Sequence, residues 1–441
     1  MKPFMLPEGF LLGTATAPLQ IEGGDRNNSW YRWVEQGHAK EGHCVIACDH
    51  WNRVAEDTAL MADLGHHTYR MGVEWSRIEP ERGRFDAEAM AHYRREVEGL
   101  VSAGIVPLIT LHHFSNPLWL EDSGSWANPE VADLFERYSE YVVRALGDLC
   151  VDWVTINEPS VYAAFGYLTG NWPPGKSDLR ECLKVARNMV LGHIRAYRRI
   201  HEVRGQMGYG GTMVGVAHHV RAFEPAHGYP QERLAARLIG RLFEDMFTIA
   251  MTEGRFVIPL GRGYPLGRRR YSDFIGLNYY SREMVSFTWN SALMFAKMET
   301  KAGVPINDLG WEIYPEGLYH FCKKYWNRYH LPIYITENGT CDAKDAFRAR
   351  FIYDHLLQVK RLLDEGVDVR RYYHWTFTDN FEWEEGTSAR FGLVEVDYST
   401  QERTVRPSGW FFADICRNHG VTDEMLKEYE FSLEPGLQTP A

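Results

Sequence analysis

The sequence has little that would tie the protein to a membrane or to nucleic acid. No apolar stretch of 18 residues occurs in the 441-residue chain, so no transmembrane helix is expected. Lysine and arginine number 48 against 59 aspartate and glutamate residues, which gives a net charge of −11. Nucleic acids and anionic membranes are bound by basic surfaces, so neither is an expected partner. Pro7, Glu8 and Gly9 interrupt the apolar start, which predicts no signal peptide and a cytoplasmic protein.

Cysteine is scarce and forms no recognisable framework. The seven cysteines are odd in number and scattered, and no paired CxxC motifs occur. Cys44 and Cys48, with His43 and His50 nearby, leave a metal cluster open as one interpretation. Reduced thiols are the favoured interpretation, and nothing in the sequence calls for a cofactor or a metal.

Aromatic residues are abundant, at 14% of the chain, with 14 Trp and 24 Tyr. Rings with polar groups suit hydroxylated ligands such as sugars, but they also suit a large core, so this evidence is slight. The length would suggest two or three domains at about 150 residues each, although α/β barrels run longer as single units. No linker rich in Pro, Gly or Ser and no low-complexity segment divides the chain.

Short β-branched runs alternate with helical patterns along the chain. Asp86 is a candidate N-cap of a helix that runs to Ala103, with apolar residues on one face. Asn128 is a candidate N-cap of the next helix, with Pro129 at its first position and Gly147 at its end. The candidate strands are Phe10–Thr16, Thr68–Val73, Val106–Leu111, Trp153–Asn157, Met213–Ala217, Phe274–Asn278, Ile333–Thr336 and Tyr372–His374.

Eight strands separated by helices predict an α/β fold, a single (β/α)8 TIM barrel that forms one catalytic domain over residues 1–441. An open doubly wound sheet is the alternative, but no GxGxxG motif follows any of the strands.

Polar residues follow the carboxyl ends of these strands, where a barrel of this kind builds its active site. They are His112 and His113, Asn157 and Glu158, Asn278 and Tyr280, Glu337, and Trp375. Glu158 and Glu337 stand out, because glycosidic cleavage uses one carboxyl as an acid and a second as nucleophile or base. A lone Glu at a strand end is more often a salt-bridge partner. Two of them, each beside an Asn, favour the functional interpretation.

Several long motifs carry a family resemblance from about Pro7 to Arg417. They are FLLGTATAPLQIEG (residues 10–23), YRMGVEWSRI (69–78), TINEP (155–159), ITENG (335–339), WTFTDNFEW (375–383) and RFGL (390–393). The chain resembles the family-one glycoside hydrolases, the β-glucosidase family.

The resemblance implies a retaining β-glycosidase. Glu158 would be the general acid/base and Glu337 the nucleophile, with the carboxyl groups about 5–5.5 Å apart. Arg77, Tyr280 and Asn278 match positions that support the nucleophile, and Glu337 is expected to stay ionised beside donors. Arg77 could instead be an ion-pair partner in the barrel wall. The substrates would be small β-glycosides or oligosaccharides with terminal β-linked glucose, or else galactose or fucose.

The same resemblance implies a set of substrate-binding residues: Gln20, His113, Asn157, Trp375, Glu382, Trp383 and Phe391. Glu382 would accept from sugar hydroxyls and repel a 6-phosphate. A cis Trp375–Thr376 peptide is also implied. Adjacent strand residues point oppositely, so one of His112 and His113 is expected to be structural. His66–His67 and His218–His219 are interpreted as packing or surface residues.

Two segments depart from the family pattern. Phe114 and Ser115 stand where Trp and Asp are usual, which leaves the glycone preference open, and residues 171–175 form a variant entrance loop. A catalytically silent glycan-binding relative is the alternative from another functional class. Such a relative would lack one of the two glutamates, and both are present.

Overall fold

The computed structural model describes residues 1–289 and 296–430. Eight parallel strands form its centre: β1 (Leu11–Ala15), β2 (Thr68–Gly72), β3 (Val106–His112), β4 (Asp152–Asn157), β5 (Met213–Pro225), β6 (Ile275–Phe287), β7 (Ile333–Asn338) and β8 (Val369–Trp375). Each strand pairs with the next in the sequence, and β8 pairs with β1, for example Tyr372 with Leu12. The predicted closed barrel is confirmed.

A helix packs outside the barrel after each strand: α1 (His50–Asp63), α2 (Ala87–Ser102), α3 (Val131–Leu146), α4 (Leu179–Gln206), α5 (Met246–Glu253), α6 (Pro315–Tyr329), α7 (Arg348–Asp364) and α8 (Pro407–Asn418). The Asp86 carboxylate accepts from the backbone N–H groups of Glu88 and Ala89, so the predicted N-cap of α2 is confirmed.

The predicted start of α3 is wrong. Its first helical residue is Val131, and Glu130 is the N-cap. The Asn128 side chain accepts from the Glu130 backbone N–H at 2.9 Å, so it closes a turn before the helix rather than capping the helix itself. The predicted end at Gly147 is confirmed.

Further short elements lie in the connections. Short α-helices cover Pro18–Ile21, Ser29–Glu35, Trp75–Ile78, Leu118–Asp122, Pro159–Ala164, Pro230–Gly240 and Asp423–Glu428. One-turn 3₁₀ helices cover Ser125–Ala127 and Trp383–Glu385, and π-helical turns cover Phe165–Thr169 and Arg241–Asp245. Strand Phe4–Met5 pairs with Gly420–Val421, Val394–Val396 pairs with Arg403–Val405, and Ala296–Glu299 pairs with β6.

None of the helices within residues 1–289 and 296–430 is long and apolar enough to cross a membrane. All seven cysteines are buried free thiols. The Cys48 thiol donates to the carbonyl oxygen of Asp379 at 2.7 Å, and the Cys44 thiol contacts the His43 ring. Among the described residues, no three His, Cys, Asp or Glu side chains are grouped so that they could hold a metal ion.

Candidate active site

Glu158 and Glu337 lie in the wall of one cavity of about 540 Å³ at the carboxyl end of the barrel. Glu158 directly follows β4 and has a left-handed backbone, with φ of 41°. Its backbone N–H donates to the carbonyl of Ala217 in β5 at 2.8 Å, which fixes the turn. Glu337 lies within β7, and both carboxyl side chains are buried. The barrel therefore brings two glutamates that are distant in the chain into a shared space.

Two donors hold the Glu337 carboxylate. Arg70 in β2 is fully buried inside the barrel and forms an ion pair with it. The Arg70 guanidinium also donates to the carbonyl of Thr336 at 3.1 Å, in the same strand as Glu337, and to the Asn157 side chain in β4 at 2.7 Å, so two strands fix its position. Tyr280 donates its hydroxyl to the second Glu337 oxygen at 2.6 Å. Together these donors orient one carboxylate towards the cavity.

The family resemblance implied that Arg77 supports the nucleophile, and that expectation is wrong. Arg77 lies in the short helix Trp75–Ile78 that follows β2, and its guanidinium pairs with Glu22 at 2.7 Å and donates to the Gly23 carbonyl. A charged side chain in the middle of a buried strand was the available signal. Arg70 stands inside β2, whereas Arg77 stands five residues beyond the strand and outside the barrel interior.

Asn278 contacts Glu158, whereas the family resemblance implied that it supports Glu337. Its side-chain N–H groups donate to Glu158 at 2.9 Å and to Asn157 at 3.0 Å, and its oxygen accepts from the Thr336 hydroxyl at 2.7 Å. Asn278 and Glu337 are register partners in neighbouring strands, but the amide does not reach the Glu337 carboxylate. The hydroxyl of Thr336 instead fixes the amide so that its nitrogen faces Glu158.

The interpretation of His219 as a packing or surface residue is wrong, because its ring contacts Glu158. Its Nδ1 atom lies 3.0 Å from the Glu158 carboxylate, and the ring is buried beside the cavity. His218, the neighbouring residue in β5, is buried and its pKa is lowered to about 3 by burial, as expected of a packing residue. The alternation of β5 thus sends one ring into the core and the other to the site.

The pKa of Glu337 differs from the expectation that this carboxyl stays fully ionised. Burial raises its pKa to about 7, the ion pair with Arg70 and the Tyr280 hydroxyl lower it, and the negative charge of Glu158 raises it. Two carboxyls that share one poorly solvated space resist simultaneous ionisation.

Five of the predicted sugar-binding residues line the same cavity, namely His113, Trp375, Glu382, Trp383 and Phe391, whereas Gln20 and Asn157 are buried behind it. The Gln20 amide donates to Glu382 at 3.1 Å and to the carbonyl of Phe381 at 3.0 Å. Burial, followed by the charge of Glu337, raises the pKa of Glu382 to about 8. The Asn157 amide donates to His113 Nε2 at 3.0 Å, and burial keeps the His113 ring neutral by lowering its pKa.

Of the two neighbouring histidines at the end of β3, His113 directly follows the strand and faces the cavity, and His112 contacts Asn116 and Trp126. The expectation that one ring is structural is confirmed. His66 is buried in the core, with its pKa lowered to about 3.

Aromatic side chains line much of the cavity: Phe114, Trp172, Trp375, Trp383 and Phe391. The predicted cis Trp375–Thr376 peptide is present. Phe114 contacts Trp172 of the entrance loop and Trp383, with ring centroids 4.9 and 5.2 Å apart. Ser115 faces away from this space and donates to Glu74. The departure at Phe114 therefore bears on the sugar pocket, and the one at Ser115 does not.

Comparison with known proteins agrees with this geometry. The model of glycosyl hydrolase family 1 matches residues 3–260 and 267–421. Beta-glucosidase A of Thermotoga maritima is 34% identical over 447 residues, covering 95% of this chain and 99% of its own length. A beta-galactosidase of Sulfolobus acidocaldarius is 31% identical, covering 95% and 96%. The solved structure of a beta-glycosidase from Pyrococcus horikoshii has a TM-score of 0.88 and 37% identity, covering 97% of this chain and 98% of its own.

The family match and the relatives identify the protein as a glycoside hydrolase, and two buried glutamates in one cavity of a (β/α)8 barrel agree with that class. The chain belongs to glycosyl hydrolase family 1.

Proposed function

We propose that the protein is a retaining β-glucosidase in which Glu337 is the nucleophile and Glu158 the general acid/base. The observation that carries this proposal is the pair of buried carboxyls in one cavity with different partners. Glu337 is held by a cation and a phenol, which suit an attacking carboxylate. Glu158 is held by an amide and an imidazole, which suit a group that gives up and regains a proton.

The reaction takes two steps. In the first, the Glu337 carboxylate attacks the anomeric carbon, the bond to the leaving oxygen breaks, and the Glu158 proton passes to that oxygen. In the second, a water attacks the anomeric carbon and gives its proton to the Glu158 carboxylate. The bond between the anomeric carbon and Glu337 breaks as the water attacks, which regenerates the Glu337 carboxylate and releases the sugar. Tyr280 and Arg70 keep the nucleophile in place through both steps.

Glucose is the proposed glycone. Glu382 lines the cavity and is held by the Gln20 amide, so an oriented carboxyl group is available to the sugar hydroxyls. The expected repulsion of a 6-phosphate needs the ionised form of Glu382, which burial disfavours below a pKa of about 8. The relative named beta-glucosidase supports glucose, and the relative named beta-galactosidase makes galactose the second candidate.

We also propose that the barrel works as a single catalytic domain in the cytoplasm, on small β-glycosides or oligosaccharides. Seven buried free thiols suit a reducing compartment, and a net charge of −11 disfavours nucleic acid as a partner.

The division of roles is tested with Glu337→Gln and Glu158→Ala on β-glucosides of graded leaving-group reactivity. Glu337→Gln should abolish turnover on every substrate. Glu158→Ala should keep activity on a dinitrophenyl β-glucoside, whose leaving group needs no proton, and lose about 10²–10⁴-fold on an alkyl β-glucoside. Glu88→Gln, an exposed substitution on α2, is the control. Equal loss by Glu158→Ala on all leaving groups would refute the assignment.

A further inference from the structure

The cavity continues past Glu158 into a chamber with apolar walls. We call it the apolar chamber and define it by Leu168, Leu183, Ile239, Leu242 and Phe243, all of which line the same cavity as the two glutamates. They come from the π-helical turn after β4, from α4, and from the helix and π-helical turn after β5. All five side chains are half-buried, so apolar surface remains open to a ligand.

The apolar chamber adjoins the proposed acid/base rather than the sugar-binding end. Phe243 packs edge-on against His219 with ring centroids 5.7 Å apart, and His219 holds Glu158. Because the general acid protonates the leaving oxygen, the group attached to that oxygen lies next to Glu158. The chamber is thus placed to receive the leaving group of the substrate.

The walls of the apolar chamber do not suit a second sugar ring. None of the five defining side chains carries a polar atom, and sugar hydroxyls buried there would lose hydrogen bonds to water without replacement. Arg221, a charged residue on the same cavity wall, is paired with Glu283 at 3.0 Å. A cavity of about 540 Å³ lies within the range of about 300–1,000 Å³ that encloses a drug-sized ligand, so a glycosyl ring and a leaving group fit together.

We infer that the preferred substrates carry an extended apolar leaving group, such as a linear alkyl chain, which binds in the apolar chamber. The inference rests on the proposed glycosidase function and adds the chemical class of the leaving group. Each methylene that moves from water into apolar surroundings favours binding by about fourfold, so chain length is a direct measure of the chamber.

The test measures kcat/KM for methyl, butyl, hexyl and octyl β-glucoside below the concentrations at which they form micelles. Alkanol leaving groups of this series have nearly equal acidity, so their rates differ through binding. The inference expects a rise of at least about tenfold from butyl to octyl, and a lower kcat/KM for cellobiose than for the octyl substrate. A flat series with cellobiose preferred would overturn it.

Leu242→Asn and Leu238→Asn form a matched pair of variants. Leu242 lines the chamber, whereas Leu238, one turn earlier, is exposed to solvent and does not line it. Leu242→Asn should lower kcat/KM for octyl β-glucoside at least about fivefold while methyl β-glucoside changes less than twofold. Leu238→Asn should change neither substrate. An equal effect of Leu242→Asn on both substrates would contradict the inference.

Nitrophenyl β-glucoside distinguishes a failure of the leaving-group inference from a failure of the proposed function. If the wild-type protein cleaves it but the alkyl series is flat, the leaving-group inference fails and the proposed function stands. If neither nitrophenyl nor alkyl β-glucosides are cleaved, the proposed function fails and the inference fails with it.

Discussion

At the scale of single residues, the site depends on a cation that spans the inside of the barrel. Arg70 contacts Thr110 in β3, Asn157 in β4 and Glu337 in β7, so one guanidinium joins three strands around the nucleophile. Its fork of donors satisfies several fixed oxygens at once, which a lysine ammonium on a single flexible stem does not do.

Matched lysine substitutions test this role. Arg70→Lys keeps the charge but loses the simultaneous contacts, so Glu337 becomes less well held and its pKa rises further above about 7. We expect kcat/KM on nitrophenyl β-glucoside to fall at least about tenfold and the acid limb of its pH profile to move to higher pH. A group that must be ionised loses activity below its pKa, so the shift has this sign.

Arg77→Lys is the control for Arg70→Lys, because Arg77 pairs with Glu22 and contacts neither carboxyl of the proposed pair. Its pH profile should match that of the wild-type protein. If Arg77→Lys moves the acid limb and Arg70→Lys leaves it in place, the structural assignment of the two arginines is wrong.

At the scale of elements, much of the architecture could be predicted because the spacing of apolar residues along the chain matches the strands and helices that are observed. All eight candidate strands occur, since apolar runs of strand length were bounded by helical patterns. The start of α3 could not be read from Asn128 and Pro129, because the same residue types cap helices and close turns. The extension of β5 to Pro225 was also missed, because this end of the strand has no apolar pattern. It is held in the sheet by pairing with the equally long β6.

The sequence located the site residues at the ends of strands, but it did not show which of their side chains contact one another. Glu158, Glu337 and Tyr280 follow from the motifs, and the barrel explains why they meet. The choice between Arg70 and Arg77 depends on which of them lies inside a strand. The partner of Asn278 depends on a hydroxyl, that of Thr336, whose direction no sequence pattern encodes.

A helix-to-barrel contact gives a prediction at this scale. Gly317 lies in the first turn of α6, and a Cβ atom there would lie 1.9 Å from the Tyr279 hydroxyl. That hydroxyl donates to the Tyr314 carbonyl at 2.6 Å and the ring is buried, so it cannot move aside freely. Gly317→Ala should therefore destabilise the protein by about 1–3 kcal/mol in urea unfolding, although alanine favours helices.

Gly99→Ala is the matched control. Gly99 lies in α2, and its added Cβ would meet nothing within 4 Å. The substitution should stabilise the protein by about 0.5–1 kcal/mol through helix propensity. Equal signs for the two glycine substitutions would show that the close approach at Gly317 does not matter.

At the scale of the whole molecule, closing the barrel also buries carboxyl groups outside the proposed catalytic pair. Burial raises the pKa of Glu74 to about 8 and that of Glu244 to about 7. The nearby charge of Asp25 adds to the shift at Glu74, and the hydroxyls of Ser115 and Ser76 oppose it. Each such group binds its proton more tightly in the folded than in the unfolded chain.

The sign of the resulting pH dependence follows from linkage. A carboxyl with a raised folded pKa stabilises the fold fully below its unfolded pKa of about 4.5, and this contribution is lost as the pH rises towards the folded value. His50, whose pKa is raised to about 10 by Glu96 and Asp57 against the effect of burial, acts in the same direction at higher pH. We therefore expect the free energy of unfolding to fall from pH 6 towards pH 9.

Glu74→Gln isolates one of these protons. Glutamine keeps an acceptor for Ser115 and Ser76 but cannot ionise. The variant therefore avoids a decrease in the free energy of unfolding of at most about 1.4 kcal/mol per pH unit, or about 2–3 kcal/mol between pH 6 and pH 8. Urea unfolding midpoints at these two pH values, with Glu88→Gln as an exposed control, measure the difference. Glu74→Gln should flatten the decline while Glu88→Gln follows the wild-type protein. Parallel declines in all three proteins would mean that Glu74 is already ionised in the folded barrel at pH 6, and that its charge is stabilised by its neighbours instead of being suppressed by burial.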